Sequence, residues 1–73
     1  MMKVIGLAQS IRAIEEGKAD KIFLAADADE AIIEKVQKAC TDANVPVEMV
    51  SSKKQLGKES GIEVAAAVVC QLK

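Results

Sequence analysis

Apolar and polar positions follow one another in a pattern that predicts four strands separated by three helices. Short apolar runs predict strands over residues 3–5, 21–26, 47–50 and 64–70. Between these runs, apolar residues recur every three or four positions and predict helices over residues 7–16 and 30–43. Ser51 or Ser52, as an N-cap, predicts a short third helix over residues 53–60. Such β-α-β-α-β-α-β alternation is typical of an α/β fold, here a three-layer α/β/α sandwich around a small sheet.

Turn and capping residues fall where this pattern needs them. Gly17 is a natural stop for the first helix, and Asn44 with Pro46 closes the second. Residues 27–29, read Asp-Ala-Asp, predict a turn and an N-cap for the second helix, while Ser51 or Ser52 is expected to cap the third. No linker or repeat interrupts the chain, so we expect a single domain over residues 1–73.

The amino-acid composition and the net charge exclude several classes of function. The chain has 73 residues and a formal net charge of −1, so no global positive field draws it to a polyanion. Phe23 is the single aromatic residue, which excludes a sheet that stacks single-stranded bases on several rings. No segment resembles a signal peptide or reaches the roughly 18 apolar residues of a membrane span. We therefore expect a cytoplasmic protein that does not contact membranes.

Residues that support catalysis are scarce. The chain contains no histidine, and Cys40 and Cys70 lack metal-ligand spacing, so we expect two free buried thiols, with one disulfide as the alternative. Asp27 and Asp29 could hold a divalent cation in a small metal-dependent enzyme, but a turn with an N-cap explains them without one. We therefore predict no catalytic residue, no metal and no cofactor.

Two places in the sequence carry candidate binding groups. Gln9 and Arg12 share one face of the first helix close to its free N–H groups, where an amide can pair with a base edge and a guanidinium with guanine or phosphate. The alternative reading is an ordinary solvated helix face. Near the other end, three lysines of the third helix precede a glycine-bounded loop with an unusually apolar tip: Lys53, Lys54, Lys58, then Ile62-Glu63-Val64.

Taken together, these segments resemble the family of kink-turn-binding ribosomal proteins typified by archaeal L7Ae and eukaryotic L30e. Its short bacterial single-domain members look closest. The family signature Gly-x-Asn/Lys-Glu/Gln-Thr-x-Lys-Ala-hydrophobic-x-x-Gly is similar to residues 6–17, and further matches lie at residues 22–29, 45–47 and 56–64. The resemblance implies a small mixed four-stranded sheet and recognition of the kink-turn, a bent RNA helix with a three-nucleotide bulge and tandem sheared G·A pairs.

The resemblance also implies a role for each matching residue. Gln9 would contact guanine edges of the sheared pairs, and Arg12 the guanine or neighbouring phosphates, with Gly6 and Ser10 in the same signature. The loop Ile62-Glu63-Val64 would pack against bulged nucleotides, and the lysines of the third helix would contact the RNA backbone. The expected partner is a structured RNA with a kink-turn, in the ribosome or another ribonucleoprotein.

The sequence departs from the family pattern at three points. Ala8 stands where the family has Asn or Lys, and Glu16 stands where many relatives have Arg or Lys before the closing glycine. The family's usual N-terminal helix does not precede the first strand, which would leave part of one face bare. Three interpretations are open: a late start, a shortened chain, or a member that completes its core as a homodimer. These departures keep a second hypothesis open: the same fold with weakened RNA binding, acting as a protein-interaction or scaffold module.

Overall fold

Four strands and three helices follow one another in the predicted order within residues 2–61 and 65–73, the part of the chain that the computed structural model describes. Their bounds are β1 Lys3–Ile5, α1 Leu7–Glu15, β2 Ala19–Ala25, α2 Glu30–Ala43, β3 Val47–Val50, α3 Lys53–Glu59 and β4 Val68–Leu72. All three predicted helices are confirmed to within one residue at their ends.

The strands form one mixed sheet in the order β1-β4-β2-β3. Strand β4 pairs antiparallel with β1 and with β2, whereas β2 and β3 are parallel. The last strand of the chain is therefore internal to the sheet. The predicted mixed four-stranded sheet is confirmed.

Two strands differ from the sequence prediction at both ends, and β2 covers Ala19–Ala25 instead of 21–26. Strand β2 begins at Ala19, two residues earlier than expected, because Ala19 pairs with Leu72 across a register irregularity. Strand β4 covers 68–72 instead of 64–70. Within the predicted strand, residues 65–67 are irregular, and residue 64 lies outside the described part of the chain. The strand continues to Leu72 because β1 and β2 supply partners on both sides of its C-terminal half.

Alternate residues of the central strands face two separate layers of helices. Helices α1 and α2 cover one face, where Ile22, Leu24 and Val68 are fully buried together with Val36 and Cys40 of α2. On the opposite face, α3 inserts Leu56 against a second cluster, whose other buried members are Ala25, Ala28, Val50, Ala66 and Val69. The three-layer arrangement is confirmed, with α1 and α3 on opposite faces of the sheet.

The helix ends follow the predicted turn chemistry with one difference. Gly17 has a φ of +72° after α1, and Asn44 takes the left-handed conformation at the end of α2 with a φ of +59°. The Ser52 hydroxyl accepts a hydrogen bond from the Gln55 backbone N–H at 3.0 Å and caps α3. Asp29 occupies the N-cap position of α2 as predicted, but its side chain makes no capping hydrogen bond.

Helix α3 packs against β2 and β3, so it covers only part of its face of the sheet. The Phe23 ring lies close to two ammonium groups, with Lys21 Nζ 5.4 Å and Lys3 Nζ 5.7 Å from the ring centre. Ile5, on the same side of the sheet, is 37% exposed. The described residues therefore leave a mixed apolar and basic area near β1.

A valine at position 61 is expected to destabilise the fold by about 1 kcal/mol or more, because Gly61 has a φ of +78°, where β-branched residues are strained. Apart from its chain neighbours, no atom of the described residues lies within 4 Å of the position that a Cβ would occupy, so the penalty is expected to come from the backbone conformation. Urea unfolding of Gly61→Val beside Gly61→Asn measures it. Asparagine tolerates this conformation, so equal losses in the two variants would contradict a backbone origin.

Candidate nucleic-acid interface

All three helices begin at the same end of the sheet, and we call it the helix-start end. Strands β1, β2 and β3 run in one direction and β4 runs against them, so the carboxyl ends of the first three lie beside the start of the fourth. The first turns of α1, α2 and α3 follow these strand ends directly. The candidate residues of α1 and α3 are consequently at one end of the molecule, although they lie in different layers.

The short segment of residues 66–68 connects the two layers through its backbone. The Ala66 N–H donates to the Lys53 carbonyl at 3.1 Å, at the start of α3. The Ala67 carbonyl accepts from the Ala25 N–H at 2.9 Å, at the end of β2. The Val68 carbonyl accepts from the Gly6 N–H at 3.0 Å, where α1 begins. This connecting segment therefore fixes the start of α1 relative to the start of α3.

Gly6 and Gln9 are in direct contact at the start of α1. Gly6 has a φ of +111° and a ψ of 155°, a conformation essentially restricted to glycine. A Cβ at position 6 would lie 2.9 Å from Gln9 Oε1, so the missing side chain allows the Gln9 amide to lie against the backbone. Gln9 and Arg12 are both exposed, and together with Ala8 they line a shallow depression of about 220 Å³.

The start of α1 also has the electrostatics of an anion site. Its N-cap residue is Gly6, which provides no capping side chain, and its first turn contains no acidic residue. The first N–H groups of the helix and the positive end of its dipole therefore lie free of a capping side chain, and the exposed Arg12 follows on the same helix. Amide, guanidinium and helix N–H groups together can bind phosphate oxygens and base edges.

A second depression of about 220 Å³ continues along α1 from the first. Its rim carries Gln9, Arg12, Glu16 and Lys18 above an apolar floor. The Glu16 carboxylate lies 3.6 Å from the Lys18 ammonium, and both side chains are at least half exposed. Glu16 thus brings a negative charge beside Arg12, and the neighbouring lysine offsets it only weakly because both groups are solvated.

Ser10, predicted beside Gln9 and Arg12 as a contact residue, does not lie on this surface. It is fully buried, and its hydroxyl has no hydrogen-bond partner among the described residues. The sequence held a signal for this position, because Ser10 lies three residues after Leu7 and four before Ile14, on the apolar stripe of the helix. Its small side chain fills the core side of α1 instead.

The lysines of α3 lie across the sheet from Gln9, at the same end. Lys53, Lys54 and Lys58 are all exposed. The start of this helix is already satisfied, because the Lys53 N–H donates to Asp27 Oδ1 at 2.7 Å and Ser52 caps the next turn. The exposed lysine side chains are thus the main groups that the described part of this helix offers to a polyanion. The predicted contact loop Ile62-Glu63-Val64 lies outside the described residues.

Other candidate chemistry is not assembled in the described part of the chain. Asp27 is engaged with α3 as stated, and within residues 2–61 and 65–73 no three carboxylate or thiol groups gather as a metal site. Cys40 and Cys70 are free and buried, and burial raises the pKa of both thiols, which favours the unreactive protonated form. Among the same residues, no helix has the length and apolar character needed to cross a bilayer.

Comparisons with known proteins agree with the fold. A bacterial protein from Geobacillus thermodenitrificans, named RNA-binding protein, is 53% identical over 70 residues, which are 96% of this chain and 85% of the relative. The Geobacillus stearothermophilus RNA-binding protein YbxF is also 53% identical over the same shares. The solved 15.5kD RNA binding protein of Giardia lamblia superposes with a TM-score of 0.90 at 30% identity, over 97% of this chain and 60% of its own length.

The family model covers nearly the whole sequence. Residues 3–73 match the model described as the Ribosomal protein L7Ae/L30e/S12e/Gadd45 family, a span that includes every strand and helix described above. The names of these bacterial relatives describe RNA-binding proteins and not enzymes. With these matches and the shared fold, the chain belongs to the L7Ae/L30e/S12e/Gadd45 family of ribosomal proteins.

Proposed function

We propose that this protein is a non-catalytic RNA-binding protein that recognises kink-turns in ribosomal or other structured RNA. The observation that carries the proposal is the exposed pair Gln9 and Arg12 at the uncapped start of α1, with the Gln9 amide seated against Gly6. The names of the bacterial relatives and of the Giardia lamblia structure support RNA as the ligand.

Each group has a defined task in this proposal. The Gln9 amide pairs with guanine edges of the sheared G·A pairs, and Arg12 binds guanine or a flanking phosphate. Residues Ile62, Glu63 and Val64 pack against the bulged nucleotides. The exposed lysines of α3 contact the RNA backbone from the other side of the helix-start end: Lys53, Lys54 and Lys58. Ser10 supports α1 from its buried side.

The proposed mechanism is a shift in the RNA conformational equilibrium. Binding only the bent form draws the population toward it by the difference in affinity between bent and extended RNA. Few phosphates are neutralised, because the proposed RNA contacts use one arginine and three lysines. Affinity should therefore fall only modestly with added salt.

The proposal is tested by measuring the affinity for a fluorescent kink-turn RNA beside a duplex in which both sheared G·A pairs are Watson–Crick pairs. Discrimination should be at least about fivefold, since loss of one paired base contact costs roughly 1–3 kcal/mol. Equal affinity for the two RNAs would contradict recognition of the kink-turn and leave only non-specific binding.

Reversing the charge at position 16 should strengthen binding. Glu16 lies on the rim of the depression that Arg12 shares, so Glu16→Arg should raise the affinity for kink-turn RNA about three- to tenfold at low salt. Glu34→Arg, on the exposed side of α2, makes the same charge change elsewhere and serves as the control. Equal gains in both variants would show that only net charge matters.

The second candidate is a protein-interaction module with the same fold. The observation that favours it is the partly open area near β1, where Ile5 is 37% exposed beside Phe23 and its two lysines. Self-association through this area, as a homodimer, is the simplest form of this hypothesis. In that case Glu16→Arg would leave RNA binding unchanged, and sedimentation analysis would find dimers that Ile5→Lys disrupts.

A further inference from the structure

Asp27 makes a contact that its position in the sequence does not suggest. It follows β2 in the turn before α2, yet its Oδ1 accepts a hydrogen bond from the Lys53 backbone N–H at 2.7 Å. The partner is 26 residues later in the chain, at the first position of α3. The carboxylate therefore joins the turn after β2 to the start of the lysine-bearing helix.

Lys53, whose N–H binds Asp27, is also hydrogen-bonded through its carbonyl to the connecting segment of residues 66–68. The Lys53 carbonyl accepts from the Ala66 N–H at 3.1 Å, so both backbone groups of Lys53 are engaged. Ala66 opens the connecting segment, whose Val68 carbonyl holds the Gly6 N–H at 3.0 Å. The Gln9 amide in turn lies against the backbone of Gly6. Asp27 is thus connected to the candidate RNA-contacting groups of both layers through hydrogen bonds and two short stretches of backbone.

We infer that Asp27 is a positioning residue of the RNA interface: its carboxylate holds the backbone of Lys53 and, through Ala66, the connecting segment between the two layers. This inference rests on the proposed function, because it concerns the same surface. Asp27 does not itself contact RNA in this account. Its contribution is to keep the start of α3 and the start of α1 at the separation that a rigid RNA motif requires.

The direction in which the RNA affinity changes on substitution of Asp27 distinguishes a positioning role from simple charge repulsion. A carboxylate near a polyanion repels it, so removal of the charge alone should strengthen RNA binding or leave it unchanged. Loss of the hydrogen bond frees the Lys53 N–H and should weaken binding. Asp27→Ala removes both charge and acceptor, whereas Asp27→Asn removes the charge and keeps an oxygen acceptor of the same shape.

The experiment measures kink-turn RNA and Watson–Crick control affinities for the full chain and three variants, at a temperature where circular dichroism finds all of them folded. Asp27→Ala should bind kink-turn RNA about tenfold more weakly, the loss expected for one hydrogen bond to a charged group. Asp27→Asn should bind at least as tightly as the unmodified chain. Asp42→Ala, which removes an exposed carboxylate from α2, should also leave affinity unchanged or raise it slightly.

Amide hydrogen exchange of the free proteins provides a second readout that needs no RNA. Asp27→Ala should speed exchange of the Lys53 and Ala66 amides about tenfold or more, and Asp27→Asn should protect them. If Ala66 exchanges at the same rate in Asp27→Ala as in the unmodified chain, the proposed coupling does not exist.

The RNA results distinguish failure of the inference from failure of the proposed function. Unmodified protein that prefers kink-turn RNA, together with Asp27→Ala of equal affinity, would overturn the positioning role alone. Unmodified protein that does not distinguish the two RNAs would overturn the proposed function and the positioning role with it. Weaker binding by Asp27→Ala together with recovery in Asp27→Asn supports the inference.

Discussion

Replacing Val68 with aspartate is expected to leave the chain unfolded at room temperature. Val68 is fully buried in β4, an internal strand, and packs in the core shared with α1 and α2. An aspartate there must either bury an unpaired charge or bind a proton at unfavourable cost, a loss of several kcal/mol in either case. A domain of this size has only about 5 kcal/mol of stability to lose.

Circular dichroism and a two-dimensional amide NMR spectrum measure the effect. Met49→Asp is the matched control, because it introduces the same charge on the edge strand β3 at a side chain that is 48% exposed. We expect Met49→Asp to cost about 1 kcal/mol or less and to remain folded. A Val68→Asp variant with native dispersion and unchanged unfolding would mean that the core is assigned to the wrong residues.

Replacing Gln9 with alanine should have the largest effect on RNA binding. If its amide pairs with the sheared G·A pairs, Gln9→Ala should weaken kink-turn binding by about 1–3 kcal/mol, roughly five- to 150-fold. The fold should be unaffected, because Gln9 is exposed on α1 and alanine is the best helix former. A loss of affinity would therefore reflect the lost contact with RNA and not a change in the protein fold.

Affinity for kink-turn RNA and for the Watson–Crick duplex is measured for both Gln9→Ala and Gln37→Ala. Gln37 is an exposed glutamine of α2, so the control makes the identical change away from the helix-start end. Gln37→Ala should bind like the unmodified chain. An equal loss of affinity in both variants, or no loss in Gln9→Ala, would show that the Gln9 amide does not take part in kink-turn recognition.

The sequence pattern predicts the helices of this fold more accurately than the ends of its strands. Helix periodicity and stops are local, so Gly17 and Asn44 mark the ends of α1 and α2 directly. Strand ends depend on partners distant in the chain. Residues 65–67 are as apolar as a buried strand, but their backbone groups bond to Lys53 and Ala25 in irregular geometry, and the ladder begins only at Val68.

At the candidate site too, spacing along the chain predicts some features, whereas contacts between residues distant in the sequence determine others. Spacing alone places Gln9 and Arg12 on one helical face, and both are exposed as expected. Ser10 belongs to the predicted site only through its place in the family signature, and its spacing, which matches the apolar stripe, agrees with the burial that is observed. The bond from Asp27 to Lys53 could not be predicted, because it depends on how β2 and α3 meet.

The most direct test of kink-turn recognition is the bending of the RNA itself. Fluorescence energy transfer between dyes on the two arms of a kink-turn duplex, without Mg²⁺, reports the fraction of bent molecules as protein is added. The transfer efficiency should rise and saturate for the kink-turn, and stay unchanged when both sheared G·A pairs become Watson–Crick pairs. A protein that binds the kink-turn without bending it, or bends neither RNA, would contradict the account.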